Sequence, residues 1–134
     1  MNPQEAITGA VRAALAGQAA LVAQVNGIFD APSHRTPRPY LLVDDPVLTD
    51  WSTKDQDGRE VRIAVLVKDS AQARKRVRGL AELVEATIAD MPAALAGGWQ
   101  VASSVFLRTR LVAEDETNVT AIVEHRVRML RTGP

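Results

Sequence analysis

Cysteine is absent from the 134 residues of this chain. That removes disulfides, thiol nucleophiles and cysteine-ligated zinc or iron–sulfur sites together. Histidine is scarce: His34 and His125 are the only two, and they lie too far apart in sequence for a metal-ligand motif. Two Trp, one Tyr and two Phe are too few for the stacking platform on which single-stranded nucleic acid is held. Neither sign of charge is in excess, since 16 Lys and Arg stand against 16 Asp and Glu. A strongly basic nucleic-acid binder and an acidic solvating tail are excluded, although a local patch is not. No apolar run approaches the roughly 18 residues of a spanning helix. The first 25 residues carry Glu5, Arg12, Gln18 and Gln24 where a secretory signal needs an unbroken apolar stretch, so synthesis in the cytoplasm is expected. There is no glycine-rich phosphate loop, and Ser52, Ser103 and Ser104 lie in no nucleophile elbow.

What is present suits one compact domain spanning residues 1–134. The hydrophobic fraction, 46%, is ordinary for a globular protein, and a chain of this length buries about two thirds of its unfolded surface without a covalent staple. Asn2-Pro3 reads as a helix start, and Ile7, Ala10, Val11, Ala14 and Leu15 follow helical spacing up to Gly17. Gln18 to Val25 adds a further turn or two. Ile28-Phe29 is a short strand, followed by an irregular, exposed loop from Pro32 to Pro39. Tyr40-Leu41-Leu42-Val43 begins a strand that Pro46 bends or places at an edge. Val61, Ile63, Val65 and Val67 alternate with Arg62, Ala64, Leu66 and Lys68, a strand with one strongly apolar face. The two strands form a long antiparallel hairpin with a polar tip, Thr49 to Arg59. Asp69-Ser70 caps a second helix whose stripe Ala73, Val77, Leu80, Ala81, Val84, Ile88, Met91 runs for about six turns before Pro92. Two final strands, Trp99 to Ala113 and Val119 to Leu130, flank the turn Glu114 to Thr117. The predicted fold is α+β: an antiparallel sheet of four to five strands with two amphipathic helices on one face.

The inventory for catalysis is thin. His125 shares its strand face with Val119, Ala121, Val123, Val127 and Met129, which makes it a satisfied core or half-buried histidine rather than a general base. Asp44 and Asp45 are adjacent, so on a strand their carboxylates face opposite sides, and beside Pro46 they read as solvated strand-end groups. The sequence points to no catalytic residue, no cofactor and no metal.

Charge, by contrast, is unevenly placed. From Tyr40 to Glu60 six acids (Asp44, Asp45, Asp50, Asp55, Asp57, Glu60) face two bases (Lys54, Arg59), leaving that segment at −4. The balancing bases gather at Arg74-Lys75-Arg76 and Arg78, and in the last two strands as Arg108, Arg110, Arg126 and Arg128. The strand arginines alternate with other residues and can line one sheet face. Segregated charge on a neutral domain fits self-association, an acidic loop meeting a basic face of the next copy.

The N-terminal alanine-rich helix followed by the stretch from Asn26 to Ser70 resembles the small tail-completion proteins, or tail terminators, of long-tailed phages and gene transfer agents, a likeness that covers nearly the whole chain. The likeness is carried by Gly27-Ile28-Phe29 with Pro32, by Pro39-Tyr40, by the turn Asp50-Trp51-Ser52-Thr53-Lys54 and by Gly58-Arg59. The long helix and the Phe106-Leu107 hairpin then follow in the family's order. The resemblance implies a ring-forming structural subunit with no catalytic site and no cofactor. It implies a hexamer at the head-proximal end of the tail tube that stops elongation and joins tail to neck. Tube protein would meet one side and a neck or stopper protein the other, with DNA passing through the lumen without sequence-specific binding. A stopper or adaptor ring, or a tube subunit, is the nearest alternative; a small DNA-binding module or a hydrolase is more remote. Assembly into the particle at the head–tail junction would follow synthesis in the bacterial cytoplasm. The candidate interface residues are Trp51, Lys54, Asp55, Asp57 and Arg59 at the hairpin tip, with Arg108, Arg110, Arg126 and Arg128 as the facing surface. Trp51 either anchors a partner, as interface tryptophans do, or folds back on its own sheet.

Overall fold

The computed structural model describes residues 1–32 and 35–131. Helix α1 (Pro3–Ala16) starts as its sequence predicts: the Asn2 side chain accepts the Glu5 N–H at 2.8 Å, and Pro3 occupies the first turn. Its stripe Ala6, Ile7, Val11 and Leu15 is buried, and Gly17 follows its last turn. A short α2 (Ala19–Val22) buries Leu21. Strands β1 (Ile28–Phe29), β2 (Tyr40–Val43), β3 (Val47–Asp50) and β4 (Gly58–Ser70) follow. After them come α3 (Arg74–Ala89), β5 (Trp99–Ala113) and β6 (Asn118–Arg131).

The six strands make one sheet in the order β1-β2-β4-β6-β5, with β3 also paired to β4. All pairings are antiparallel except β1 with β2. β4 is long enough to hold β2 along Val65–Lys68 and β3 along Arg59–Arg62. Asp44-Asp45-Pro46 is the break between those two partners, where Pro46 has no N–H for a ladder. β4 and β6 pair along all 13 residues of β4.

Alternation then sorts the side chains. Val61, Ile63, Val65 and Val67 of β4 and Val119, Ala121, Val123, Val127 and Met129 of β6 are buried beneath Ile7, Val11 and Leu15 of α1 and Val77, Leu80, Val84 and Ile88 of α3. At about 25 cal/mol per Å² this apolar burial is the main driving force for the fold. Among the described residues, the other face of the sheet carries no helix.

Three expectations need correction. The second helix begins at Arg74, not at Asp69-Ser70, because β4 keeps pairing with β6 through Ser70 opposite Asn118. Ser70 caps a single 3-10 turn, Ala71–Ala73, instead. The buried Asp69 carboxylate accepts hydrogen bonds from Arg76 Nε and Nη2 at 2.8 and 2.6 Å. The helix ends at Ala89, short of Met91. The loop before β2 is not wholly exposed, since Pro39 is buried; the reading of His34 lies outside the described residues.

Candidate assembly surface

The hairpin tip is an ordered loop built from short side-chain bridges. Asp50 accepts the Ser52 Oγ–H at 2.6 Å, which with the Ser52 N–H holds its carboxyl below the usual aspartate range. Ser52 Oγ in turn accepts the Gly58 N–H at 3.0 Å, and Thr53 Oγ1 accepts the Gln56 N–H at 3.0 Å. Gly58 is required by proximity: a Cβ there would stand 2.3 Å from the Trp51 carbonyl oxygen. Trp51 lies back over the helix-free face, with the Arg128 guanidinium 5.4 Å from its ring centre. Lys54, Asp55 and Asp57 are exposed, and none of them forms an ion pair among the described residues. Arg59 reaches Asp50 at 3.8 Å and lies 5.9 Å from the Trp99 ring, which Arg131 flanks at 5.8 Å.

The helix-free face gathers cations from three strands: Arg62 and Lys68 from β4, Arg108 and Arg110 from β5, Arg126 and Arg128 from β6. The four arginines expected to share a face do share it, because Arg110 opposes Ile122, Arg108 opposes Glu124, and residues 122, 124, 126 and 128 alternate onto one side. The structure also divides them by state. Arg128 Nε donates to Glu60 at 3.0 Å and Arg108 Nε to Glu124 at 2.8 Å. Arg62, Arg110 and Arg126 have no ion pair among the described residues. Arg62 and Arg126 stand directly opposite each other across the β4–β6 ladder, and the buried Arg126 Nε has no hydrogen-bond acceptor among the described residues. Like charges directly opposed on a sheet are unfavourable, and Glu124, Asp44 and Asp45 line the same hollow as Arg62. Sequence reading missed Arg62, because a residue's cross-strand partner is set by register and not by spacing along the chain.

At the far end of the sheet a second cluster closes the β5–β6 turn. Glu114 accepts from Thr120, from Lys68 Nζ at 3.0 Å and lies 3.5 Å from Arg38 Nη2. Burial raises its pKa, but those donors together outweigh burial and leave it lowered. Asp115 accepts from Asn118 and Thr117, which brings its pKa down to about 2. These contacts are structural, tying a turn to the strand beside it.

His125 is fully buried on the opposite, helix-covered face, edge-on to Phe106 at 5.6 Å. Burial pushes its pKa down, with the Glu85 backbone carbonyl opposing the shift, and neither ring nitrogen has a well-formed hydrogen bond among the described residues. It is a core histidine, but not the satisfied one that its sequence context suggested. The groove between α1 and the segment after α3 is lined mainly by alanines, with Glu5 its one acidic side chain. Among the described residues no three His, Asp or Glu side chains could hold a metal ion, and no helix is long and apolar enough to cross a membrane.

A long, mostly antiparallel sheet with helices on one face and arginines gathered on the other makes this an α+β domain. Residues 9–130 match the family described as "Tail completion protein gp17", and the chain belongs to that family. Among solved structures, it is similar to a chain described as "Virion of native gene transfer agent (GTA) particle". The two share 22% identity over 93% of this chain and 95% of that one, with a TM-score of 0.81, a likeness of fold. No curated protein matches.

Proposed function

We propose that this chain is a tail terminator: copies close into a ring, six to the ring, on the head-proximal end of a tail tube. There the ring stops elongation and joins tail to neck. Membership of the tail completion family across residues 9–130 is the observation that carries this reading. The surface supports it, since an acidic hairpin and an arginine-bearing sheet on one molecule give neighbouring copies complementary patches. Among the described residues of this face, Arg62, Arg110 and Arg126 have no ion pair and are open to such a neighbour, while Arg108 and Arg128 are held by glutamates of the adjacent strands. Tube protein meets one side of the ring and a neck or stopper protein the other, and DNA crosses the lumen without base-specific contacts. The role is structural rather than catalytic and uses no cofactor. Synthesis is in the bacterial cytoplasm, and the site of action is the head–tail junction.

Native mass measurement and negative-stain imaging of the purified chain, with and without tube subunits, test the reading. Closed six-fold rings seated on tube ends are expected. Open filaments would assign the chain to the tube itself, and a chain that neither closes nor binds tube ends would overturn the proposal.

A further inference from the structure

The sheet has two open edges of different character. On one side, β3 pairs with β4 and leaves its outer edge free, with Asp44 and Asp45 exposed just before it and Val47 61% exposed on it. On the other side, β5 is the terminal strand. Its first residues are covered, because the Val101 N–H donates to the Ala93 carbonyl at 2.8 Å and Ala94 bridges Gln100. Beyond Val101 the edge is open, and it carries exposed Val105, Arg108, Arg110 and Val112. Charged side chains and bulges on an edge strand discourage indiscriminate pairing. β5 has both, with register shifts at Val101/Ser103 and Phe106/Arg108.

The registers allow the two edges to be compared row by row across the helix-free face. One row runs Val47, Arg62, Arg126, Val105 from edge to edge. The next runs Thr49, Glu60, Arg128, Ser103. On the other side of the first row, Ala64, Glu124 and Arg108 align, and the Asp44 N–H donates to the Ala64 carbonyl. Suppose a second copy sets its β3 beside the first copy's β5 with these rows continuing. Val105 then meets Val47, Ser103 meets Thr49, and Arg108 meets the Asp44-Asp45 pair. Strand direction agrees as well: β3, β4, β6 and β5 alternate, so β5 and an incoming β3 are antiparallel like the rest of the sheet.

We propose that β5 of one copy takes β3 of the next by antiparallel strand addition, with Val105 opposite Val47 and Arg108 opposite Asp44 and Asp45. The interaction rests on the ring reading and specifies its joint. Main-chain hydrogen bonds supply the contact, and the valine pair and the charge pair fix the register. The two edges lie on opposite sides of one sheet, so the contact is heterologous, the kind that closes a ring when the rotation allows. Arg108 would bridge its own Glu124 and the neighbour's aspartates.

The natural lack of cysteine makes the test direct. Residues opposed across an antiparallel pair bring their Cα atoms within the roughly 4.4 to 6.8 Å that a disulfide needs. A chain carrying Val47→Cys and Val105→Cys, assembled with tube subunits and oxidised, is expected to give a ladder of linked copies that ends at the ring size. Neither single variant should give that ladder. Adding Arg108→Glu should abolish the ladder, and adding Asp44→Lys and Asp45→Lys to that chain should restore it. Rings in the microscope whose subunits stay unlinked would overturn strand addition and leave the ring standing. Neither rings nor links would overturn both.

Discussion

His125 shows how a single buried side chain ties stability to pH. Its folded-state pKa is lowered, so the unfolded chain takes up a proton at His125 first as pH falls below about 6.5. The sign follows: the folded state is favoured fully above that pH and progressively less below it. His125→Leu removes both the titration and the two buried ring nitrogens, so thermal unfolding of this variant should lack the pH 7 to pH 5 decline expected of the natural chain. An undiminished decline would assign it to other groups. Asp69 makes the complementary case. Its carboxylate is wholly buried and is held by the Arg76 fork, half exposed on α3. Arg76→Ala leaves a buried carboxylate short of its charged donor and should cost about 2 kcal/mol in denaturant titration. Arg76→Lys should recover part of that loss, because one of the two bonds can re-form.

At the scale of elements, the strand and helix order was readable because its signals are local. Asn2-Pro3, the alternating valines of β4 and the boundaries of β5 at Trp99 and Ala113 each follow from neighbours in sequence. β3 was not readable as a separate strand, since Val47–Asp50 has no alternation of its own and exists because β4 has length to spare. The late start of α3 has the same origin: Ser70 stays paired with Asn118, so its cap serves the 3-10 turn Ala71–Ala73 and α3 begins only at Arg74. The candidate surface was legible only in part. Arg108, Arg110, Arg126 and Arg128 could be placed on one face by alternation, but the opposition of Arg62 to Arg126 depends on a register between strands more than 60 residues apart. The tip is an element with little tolerance. Gly58→Ala drives a Cβ into the Trp51 carbonyl, and overpacking of that kind costs about 1 to 3 kcal/mol. A lower melting temperature together with a changed Trp51 emission is expected, and unchanged values for both would show that the loop can shift freely.

For the whole molecule, a formal charge of zero conceals a dipolar arrangement, acidic along one edge hairpin and basic across the helix-free face. Electrostatic attraction between such patches acts mainly on the rate of encounter and weakens with salt. Asp55→Lys with Asp57→Lys, two exposed changes at the tip, should therefore slow assembly and flatten its dependence on ionic strength while leaving the free energy of unfolding within about 0.5 kcal/mol of the natural chain's. Light scattering at low and high salt reads this directly, and identical assembly curves for variant and natural chain would remove the tip from the encounter.

The β4–β6 ladder carries one more consequence. Thirteen residues of β4 stay in register with β6, a seam about 43 Å long at the usual rise per residue. Its hydrogen bonds lie perpendicular to the strands. Tension along the strands strains the whole seam at once, whereas tension across them opens it one rung at a time. The subunit is thus mechanically anisotropic, stiff along its strands and easily unzipped sideways.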